Sequence, residues 1–214
     1  MDLMSNRYLA LSATVALFAI SSSQAALVIT EAMPSSNFSG DWFEITNTGP
    51  SAINLAGYYW DDNGPTGADG AVFPDISIAV GQSIVIVDED NADLADWIAA
   101  WGGGVTAYSS EDFSGDDAFS GLGGGGDQIE IWDSNPNVGP ANLVASAVFG
   151  SSTDGSSFQW DTSGNFLGVS SSGVNGAFAS TSGGDIASPG AAVPEPGSAL
   201  LAALGLLGFL RRRR

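Results

Sequence analysis

Apolar and polar positions alternate in short runs along most of the chain, which is the pattern of half-buried β-strands. In one run Phe43 and Ile45 fall on one face, whereas Trp42, Glu44 and Thr46 fall on the other. Clusters of Gly, Asn, Asp and Ser, which favour turns, separate these runs. The pattern predicts an all-β domain of many short strands, arranged as a β-sandwich.

The predicted strands are unevenly spread along the chain. They cover residues 27–32, 41–48, 53–60, 71–74, 83–88, 128–133 and 142–150, and a Gly kink divides residues 53–60 into two short pieces. Residues 108–127 read as a polar, Gly-rich loop, and residues 151–190 are rich in Gly and Ser. For that last stretch we expect long loops with one or two strands, anchored by isolated aromatic residues such as Phe158 and Trp160.

One segment follows a helical period instead. Its apolar residues recur at the spacing of one helix face, at Leu94, Trp97, Ile98 and Trp101. We expect Asp90 or Asn91 to cap this helix and Gly102 to end it. This reading also accounts for the acidic run 88–93, whose D-x-D opening fails the EF-hand pattern at Ala92.

The N-terminus has the layout of a secretory signal peptide. Arg7 precedes an apolar run over residues 8–20, and small residues stand at Ser23 and Ala25. The pattern predicts cleavage between Ala25 and Ala26, so that residues 1–25 are removed on export. A buried N-terminal helix is the alternative, which this three-part layout disfavours.

The C-terminus combines three features in order. The stiff sequence Pro194-Glu195-Pro196 is followed by an apolar run, 198–210, and then by four basic residues, Arg211, Arg212, Arg213 and Arg214. A 13-residue helix would span roughly 20 Å, less than the roughly 30 Å hydrocarbon core, although arginine stems extend its reach. The arginines act as a cytoplasmic membrane stop. A plain C-terminal anchor is the alternative, but it would normally be longer.

Charge is distributed very unevenly between these ends and the domain. Residues 26–193 contain no Lys or Arg but hold 22 of the 24 carboxylates. Each carboxylate must therefore be solvated, bonded to backbone N–H groups or neutralised by a bound cation. Such a surface repels nucleic acid and anionic lipid, and it suits divalent cations, a salty medium or a basic partner.

The residues available for catalysis are few. The chain has no Cys and no His, and the domain has no Lys, which removes thiol nucleophiles, Ser-His-Asp triads and Schiff bases. Carboxylate pairs, Tyr and oxygen-ligated metal ions remain. Glu31 and Glu44 could form such a pair on neighbouring strands, but structural bonds to backbone N–H groups explain them better. We expect a non-catalytic protein, with a carboxylate-only hydrolase as the remote alternative.

Acidic loops are candidates for Ca²⁺ binding, because this ion prefers several carboxylate and carbonyl oxygens. The candidate ligands all lie in predicted loops and are Asp61, Asp62, Asp69, Glu111, Asp112, Asp116 and Asp117. No spacing among them is diagnostic, and a solvated acidic loop is the alternative. The six Trp residues could form a sugar-stacking platform, although core packing explains each of them better.

The order of these segments resembles the lamin tail domain, an immunoglobulin-like sandwich. The matching pieces are Glu31 in the first strand, Trp42, Glu44 and Asn47 in the second, the Leu55-x-Gly57 turn, the apolar strand 83–87 with its helix, the strand containing Asp127, Ile129, Ile131 and Asp133, and the closing Ser188-Pro189-Gly190. The resemblance covers about residues 27–190 and implies that the shared Glu, Asn and Gly positions serve the fold. We assign the domain to residues 26–190.

Residues 191–214 closely resemble the PEP-CTERM sorting signal of Gram-negative bacteria. The resemblance implies recognition by an exosortase, a membrane transpeptidase that cleaves near the Pro-Glu-Pro motif. The expected route runs through the inner membrane to the cell surface or an extracellular matrix. The expected role is structural or adhesive, with exopolysaccharide as a candidate partner through Ca²⁺. A Ca²⁺-dependent carbohydrate-binding module is the alternative.

Overall fold

The computed structural model describes residues 27–64, 70–115, 119 and 121–194, and they form two packed β-sheets with one short α-helix. The strands are β1 (Leu27–Met33), β2 (Trp42–Asn47), β3 (Ile53–Asn54), β4 (Tyr59–Asp61), β5 (Ala71–Val72), β6 (Ser77–Ile78), β7 (Ser83–Val87), β8 (Ala107–Ser109), β9 (Asp127–Trp132), β10 (Leu143–Phe149), β11 (Phe158–Trp160), β12 (Phe166–Val169), β13 (Phe178–Ala179) and β14 (Ile186–Ala187). The helix α1 spans Leu94–Ala100, and a 3₁₀ turn spans Ser110–Asp112.

Strand pairing is antiparallel almost throughout the described residues. The larger sheet has the order β12-β11-β1-β2-β7-β8, in which only β7 and β8 are parallel, and the smaller has the order β10-β9-β4-β5. The pairs β13–β14 and β3–β6 form two small ribbons. This is an immunoglobulin-like β-sandwich, as the strand pattern predicted.

The main core lies between the two sheets. Phe43 and Ile45 of β2 face Trp60 of β4 and Ile131 of β9, as the period-two pattern predicted. The rings of Phe43 and Trp60 stack 6.5 Å apart, and Phe119 packs 4.7 Å from Trp60. A residue from the polar, Gly-rich loop therefore completes the aromatic centre of this core.

A second, smaller core covers the outer face of the larger sheet. Trp42 of β2 and Val87 of β7 pack there against Trp97 and Trp101, which are presented by α1 and its C-cap. The ring of Trp42 lies 5.8 Å from Trp97 and 6.1 Å from Trp101. As a result β2 is buried on both faces, although its sequence alternates.

Two details of the predicted elements were wrong. The helix begins at Leu94 with Asp93 as its N-cap, which forms no side-chain cap bond, and not at Asp90 or Asn91. Asn91 is occupied elsewhere, since its amide groups donate to Glu111 and Asp112. Residues 151–190 hold four strands instead of one or two, and β11 lies inside the larger sheet.

Both predicted membrane segments fall outside the described residues. These are the signal peptide with its cleavage site at Ala25 and Ala26, and the tail from Glu195 to Arg214. Within the part that the structure describes, no helix is long and apolar enough to cross a membrane.

Candidate functional site

Two glutamates lie side by side inside the larger sheet. Glu31 of β1 and Glu44 of β2 are partners in the antiparallel register, and each is at most 1% exposed. The Glu31 carboxylate accepts hydrogen bonds from Ser157 Oγ at 2.5 Å and from the backbone N–H of Ser188 at 3.0 Å. Burial of these acids requires such donors, since the domain offers no basic side chain.

Glu44 is held in a similar way. Its Oε1 accepts from Thr30 Oγ1 at 2.5 Å, and its Oε2 accepts from the backbone N–H of Gly190 at 2.5 Å. Hydroxyls extend the network along the sheet, because Thr30 contacts Thr46 at 2.8 Å, which contacts Ser83 at 2.7 Å. Every partner is part of the domain, so this is a structural polar network.

Burial shifts the titration of both acids. Loss of hydration raises the pKa of Glu31 to about 7, although bonds from Ser157 and Ser188 partly oppose the shift. Loss of hydration raises the pKa of Glu44 to about 8, with a further increase from the neighbouring Glu31 charge. The pair is therefore mostly protonated in mildly acidic solution.

The two glutamates fasten the end of the domain onto the sheet. We call residues 186–193 the closing segment, and its Ser188 and Gly190 donate to Glu31 and Glu44 respectively. Further along, Val193 pairs with Asp161 and accepts from the backbone N–H of Thr162 at 3.0 Å. The folded domain thus continues to the residue before Pro194. The pair is covered by this segment and does not face a cleft as a hydrolytic pair would.

A second concentration of carboxylates lies at one end of the sandwich. We call it the acidic end, and its members are Asp41, Asp88, Glu89, Glu111, Asp112 and Asp127. Backbone and side-chain donors hold several of them in place: Leu122 N–H donates to Asp41, Ser110 Oγ to Asp88 and Gly40 N–H to Glu89. Burial, reinforced by neighbouring acids, raises the pKa of both Asp41 and Asp88.

The structure separates the predicted Ca²⁺ ligands that it describes. Glu111 and Asp112 meet the acidic run 88–93 through Asn91, which donates to both carboxylates. Asp61, which is buried on β4, lies opposite Glu130 in the ladder. Asp62 borders a surface hollow with Asp127. Among the described residues, no three acidic side chains gather closely enough to hold a metal ion. Asp69, Asp116 and Asp117 lie outside those residues, so the Ca²⁺ prediction stays a prediction.

The tryptophans pack inward, which disfavours a sugar-stacking platform. Five of the six are at most 4% exposed, namely Trp42, Trp60, Trp97, Trp101 and Trp160. Trp132 is half-buried, and its indole N–H lies 3.3 Å from Glu130 Oε2. A cleft of about 260 Å³ beside α1 is lined by Phe38, Ser39, Glu89, Asp93, Asp96 and Trp97, so its polar wall is acidic.

Family comparison agrees with this architecture. The model of the Lamin Tail Domain matches residues 20–166, which is more than two thirds of the chain. The chain belongs to the lamin tail domain family. In this lamin tail domain, Glu31 and Glu44 are buried as fold residues, and Gly57 has a positive φ of 84° in its turn. The closing segment lies beyond the matched residues.

A second match covers the tail. The PEP-CTERM protein-sorting motif matches residues 192–214, which begin with the last two residues of the closing segment. The motif marks an exported protein that is anchored transiently in the membrane and processed by an exosortase. No curated protein and no solved structure matches the chain.

We call Glu31 and Glu44, with their hydrogen bonds to the closing segment, the glutamate latch, and the sequence revealed only part of it. The sequence placed both glutamates on adjacent strands but did not identify Ser157, Gln159 and Ser170, which complete the network around the closing segment. These residues lie in the Gly- and Ser-rich stretch, where hydrophobic periodicity is weak. Long-range hydrogen bonds across more than 120 residues leave no local signal.

Proposed function

We propose that this lamin tail domain protein is a non-catalytic component of the cell surface or extracellular matrix, with a structural or adhesive role. Export is directed by the signal peptide of residues 1–25, and an exosortase processes the tail at residues 191–214. The acidic end meets anionic exopolysaccharide through bridging Ca²⁺. The observation that carries this proposal is the sorting motif placed immediately after a closed domain.

The position at which the folded domain ends supports removal of the sorting tail without loss of the fold. Val193 is the last residue that pairs with the sandwich in the described part of the chain, and the Pro-Glu-Pro motif begins at the next residue. Cleavage near Pro194 would therefore leave the glutamate latch and both cores intact. A domain that stays folded after release suits a stable matrix component.

The charge of the domain supports a cation-bridged contact. Because no Lys or Arg occurs between residues 26 and 193, an anionic polysaccharide cannot bind the domain through basic side chains. A divalent cation shared between carboxylates of the two partners removes that repulsion. The acidic end supplies exposed carboxylates such as Glu111 and Asp112.

The sorting step is tested by changing Pro194, Glu195 and Pro196 to Ala in the native host. We expect the unprocessed chain to stay in the membrane fraction with its tail attached, as it should in a host without exosortase. Mass spectrometry of the recovered protein measures both predicted cleavages at once. Normal processing and location in both strains would contradict the proposal.

The cation-bridged role is tested on the exported protein. We expect Ca²⁺ to raise its melting temperature and its retention on host exopolysaccharide, while Mg²⁺ has a smaller effect. Asp62→Asn, beside Asp127, and Glu111→Gln should each weaken both effects, whereas Asp75→Asn, a matched control at an exposed acid between β5 and β6, should not. If Ca²⁺ changes neither property, the cation bridge is wrong.

A further inference from the structure

The first and last paired residues of the domain, Leu27 and Val193, lie on the same side of the sandwich. Leu27 begins β1 opposite Asn47, and a Cβ at Gly164 would lie 3.9 Å from Val28 Cγ1. The turn that contains Gly164 also binds Val193, through the backbone N–H of Thr162. We call this side the exit end, formed by Leu27, Val193 and the turns 48–52, 79–82 and 162–165.

The tail limits how far the exit end can be from a bilayer. The apolar run begins at Ser198, only five residues after Val193. Five residue steps of at most about 3.6 Å span about 18 Å, even when fully extended. While the tail is anchored, the exit end is therefore held close to the lipid headgroups.

The exit end is chemically suited to that position. The turns 48–52, 79–82 and 162–165 contain no charged residue, and residues 162–184 hold none at all. Two of its large apolar side chains are open to solvent, since Val80 is 57% exposed and Phe166, which follows the last turn, is 56% exposed. These three turns therefore add no carboxylate to the surface that would face the lipid headgroups, and the neighbouring Asp161 is buried.

The acidic end lies at the opposite ends of the same strands. Asn47 and Ser83 end β2 and begin β7 at the exit end, whereas Trp42 and Val87 pair at the other. Asp41 precedes Trp42 and Asp88 follows Val87 at that end, and the backbone N–H of Asp88 donates to the carbonyl oxygen of Asp41 at 2.8 Å. The acidic end therefore lies at the far end of these strands from Leu27 and Val193, and the carboxylate at the exit end that pairs with Val193, Asp161, is buried.

We propose that the tail-anchored protein stands on the membrane through its exit end, with Val80 and Phe166 at the headgroup boundary and the acidic end directed away. The occupant of this apolar surface is the anionic lipid bilayer. The inference rests on the sorting tail of the proposed function, because only that tail supplies the short tether. Release of the tail would also free this surface.

The absence of cysteine from the sequence allows a direct test. The full chain is placed in nanodiscs of phosphatidylethanolamine and phosphatidylglycerol, with a fluorophore at Ser163→Cys on the exit end or at Ala92→Cys beyond β7. Both positions are exposed. We expect headgroup nitroxides to quench the Ser163→Cys probe at least about twofold more, because a strand of this length adds about 17 Å to the other distance.

Charge variants test whether the apolar side chains make the contact. Val80→Asp, or Phe166→Asp as a second variant, should lower quenching of the Ser163→Cys probe to the level seen at Ala92→Cys. Val148→Asp is the matched control, since Val148 is an exposed valine that lies beside Asp127 near the acidic end. It should leave the quenching unchanged. A circular dichroism melt establishes that each variant is folded.

Three outcomes overturn the inference. Equal quenching at both probes means that the domain has no fixed orientation on the bilayer. Quenching that survives both aspartate variants means that the tether alone holds the domain. A chain that does not enter nanodiscs contradicts the proposal that the tail anchors the protein in a membrane. The proposed matrix role is tested separately, on the exported protein.

Discussion

At the scale of single residues, the central feature is a pair of acids buried without a basic partner. Glu31 and Glu44 adjoin each other in the sheet, and their partners are hydroxyl groups and backbone N–H groups. Burial raises the pKa of both acids, so the folded protein keeps protons that the unfolded chain releases. The stability contributed by the latch therefore depends on pH.

The sign of that dependence follows from linkage. Between the ordinary glutamate pKa and the raised values near 7 and 8, the folded state binds more protons than the unfolded state. The free energy of unfolding should then fall as pH rises from 5 to 8, by roughly 1 kcal/mol per pH unit for each retained proton. Asp41 and Asp88 are shifted in the same direction. Urea titrations at both pH values measure the slope.

Glu44→Gln isolates one member of the pair. Glutamine resembles the protonated acid, so the variant should match the wild type at pH 5 and exceed its stability at pH 8. Asp154→Asn removes one charge from an exposed position and should leave the slope unchanged. Parallel profiles for wild type and Glu44→Gln would refute this role of Glu44.

At the scale of elements, α1 shows how a short helix is stabilised by packing. It has only seven residues, its N-cap makes no side-chain bond, and isolated helices of that length are unstable in water. Its stability comes from Trp97, which is 1% exposed and lies against Trp42 and Trp101. Among the described residues no acceptor meets the indole N–H groups of Trp42 and Trp97, so their contribution there comes from apolar contact.

Trp97→Ala should therefore destabilise the whole domain. Removing a fully buried indole typically lowers the free energy of unfolding by about 3–5 kcal/mol. Trp132→Ala, at a half-buried indole on β9, is the matched control and should cost clearly less. Thermal unfolding monitored by circular dichroism compares the two. Equal losses would mean that the helix layer is not an integrated part of the fold.

At the scale of the molecule, the closing segment decides where the domain ends. The backbone N–H groups of Ser188 and Gly190 donate hydrogen bonds to Glu31 and Glu44. Val193 pairs with Asp161. Asp161 is itself buried. Burial raises its pKa, but bonds from Asn165 and Ser163 outweigh that effect and leave it lower than usual. The folded domain thus ends at Val193, and the Pro-Glu-Pro motif of the sorting tail begins at the next residue.

Truncation tests that coincidence. A chain of residues 26–187 lacks the donors at Ser188 and Gly190 and should be less stable than residues 26–193, by on the order of 3 kcal/mol. Ser188→Ala keeps the backbone donor and should fall between them. Urea unfolding at pH 7 measures all three. If residues 26–187 prove as stable as residues 26–193, the closing segment does not fasten the fold.

Much of the architecture could be predicted from local sequence. Period-two alternation identified the faces of β2, and turn residues such as Gly57, which has a positive φ, marked the strand boundaries. The tail was recognisable because its three features are contiguous in the chain. The start of α1 and the number of strands among β11 to β14 were misjudged, because tertiary contacts specify them and not local preference, whereas Gly102 follows the end of α1 as predicted.

The sequence by itself determined the strand-rich fold class, the exclusion of Lys and Arg from the domain, and the sorting signal, since each is a local or compositional property. Only the tertiary structure decided which carboxylates are buried, and that residues 186–193 fasten over them. It also decided that Leu27 and Val193 lie on one side of the sandwich, opposite the acidic end. These features depend on contacts between residues far apart in the chain, and pairing across such distances is determined by the packing of the whole sandwich.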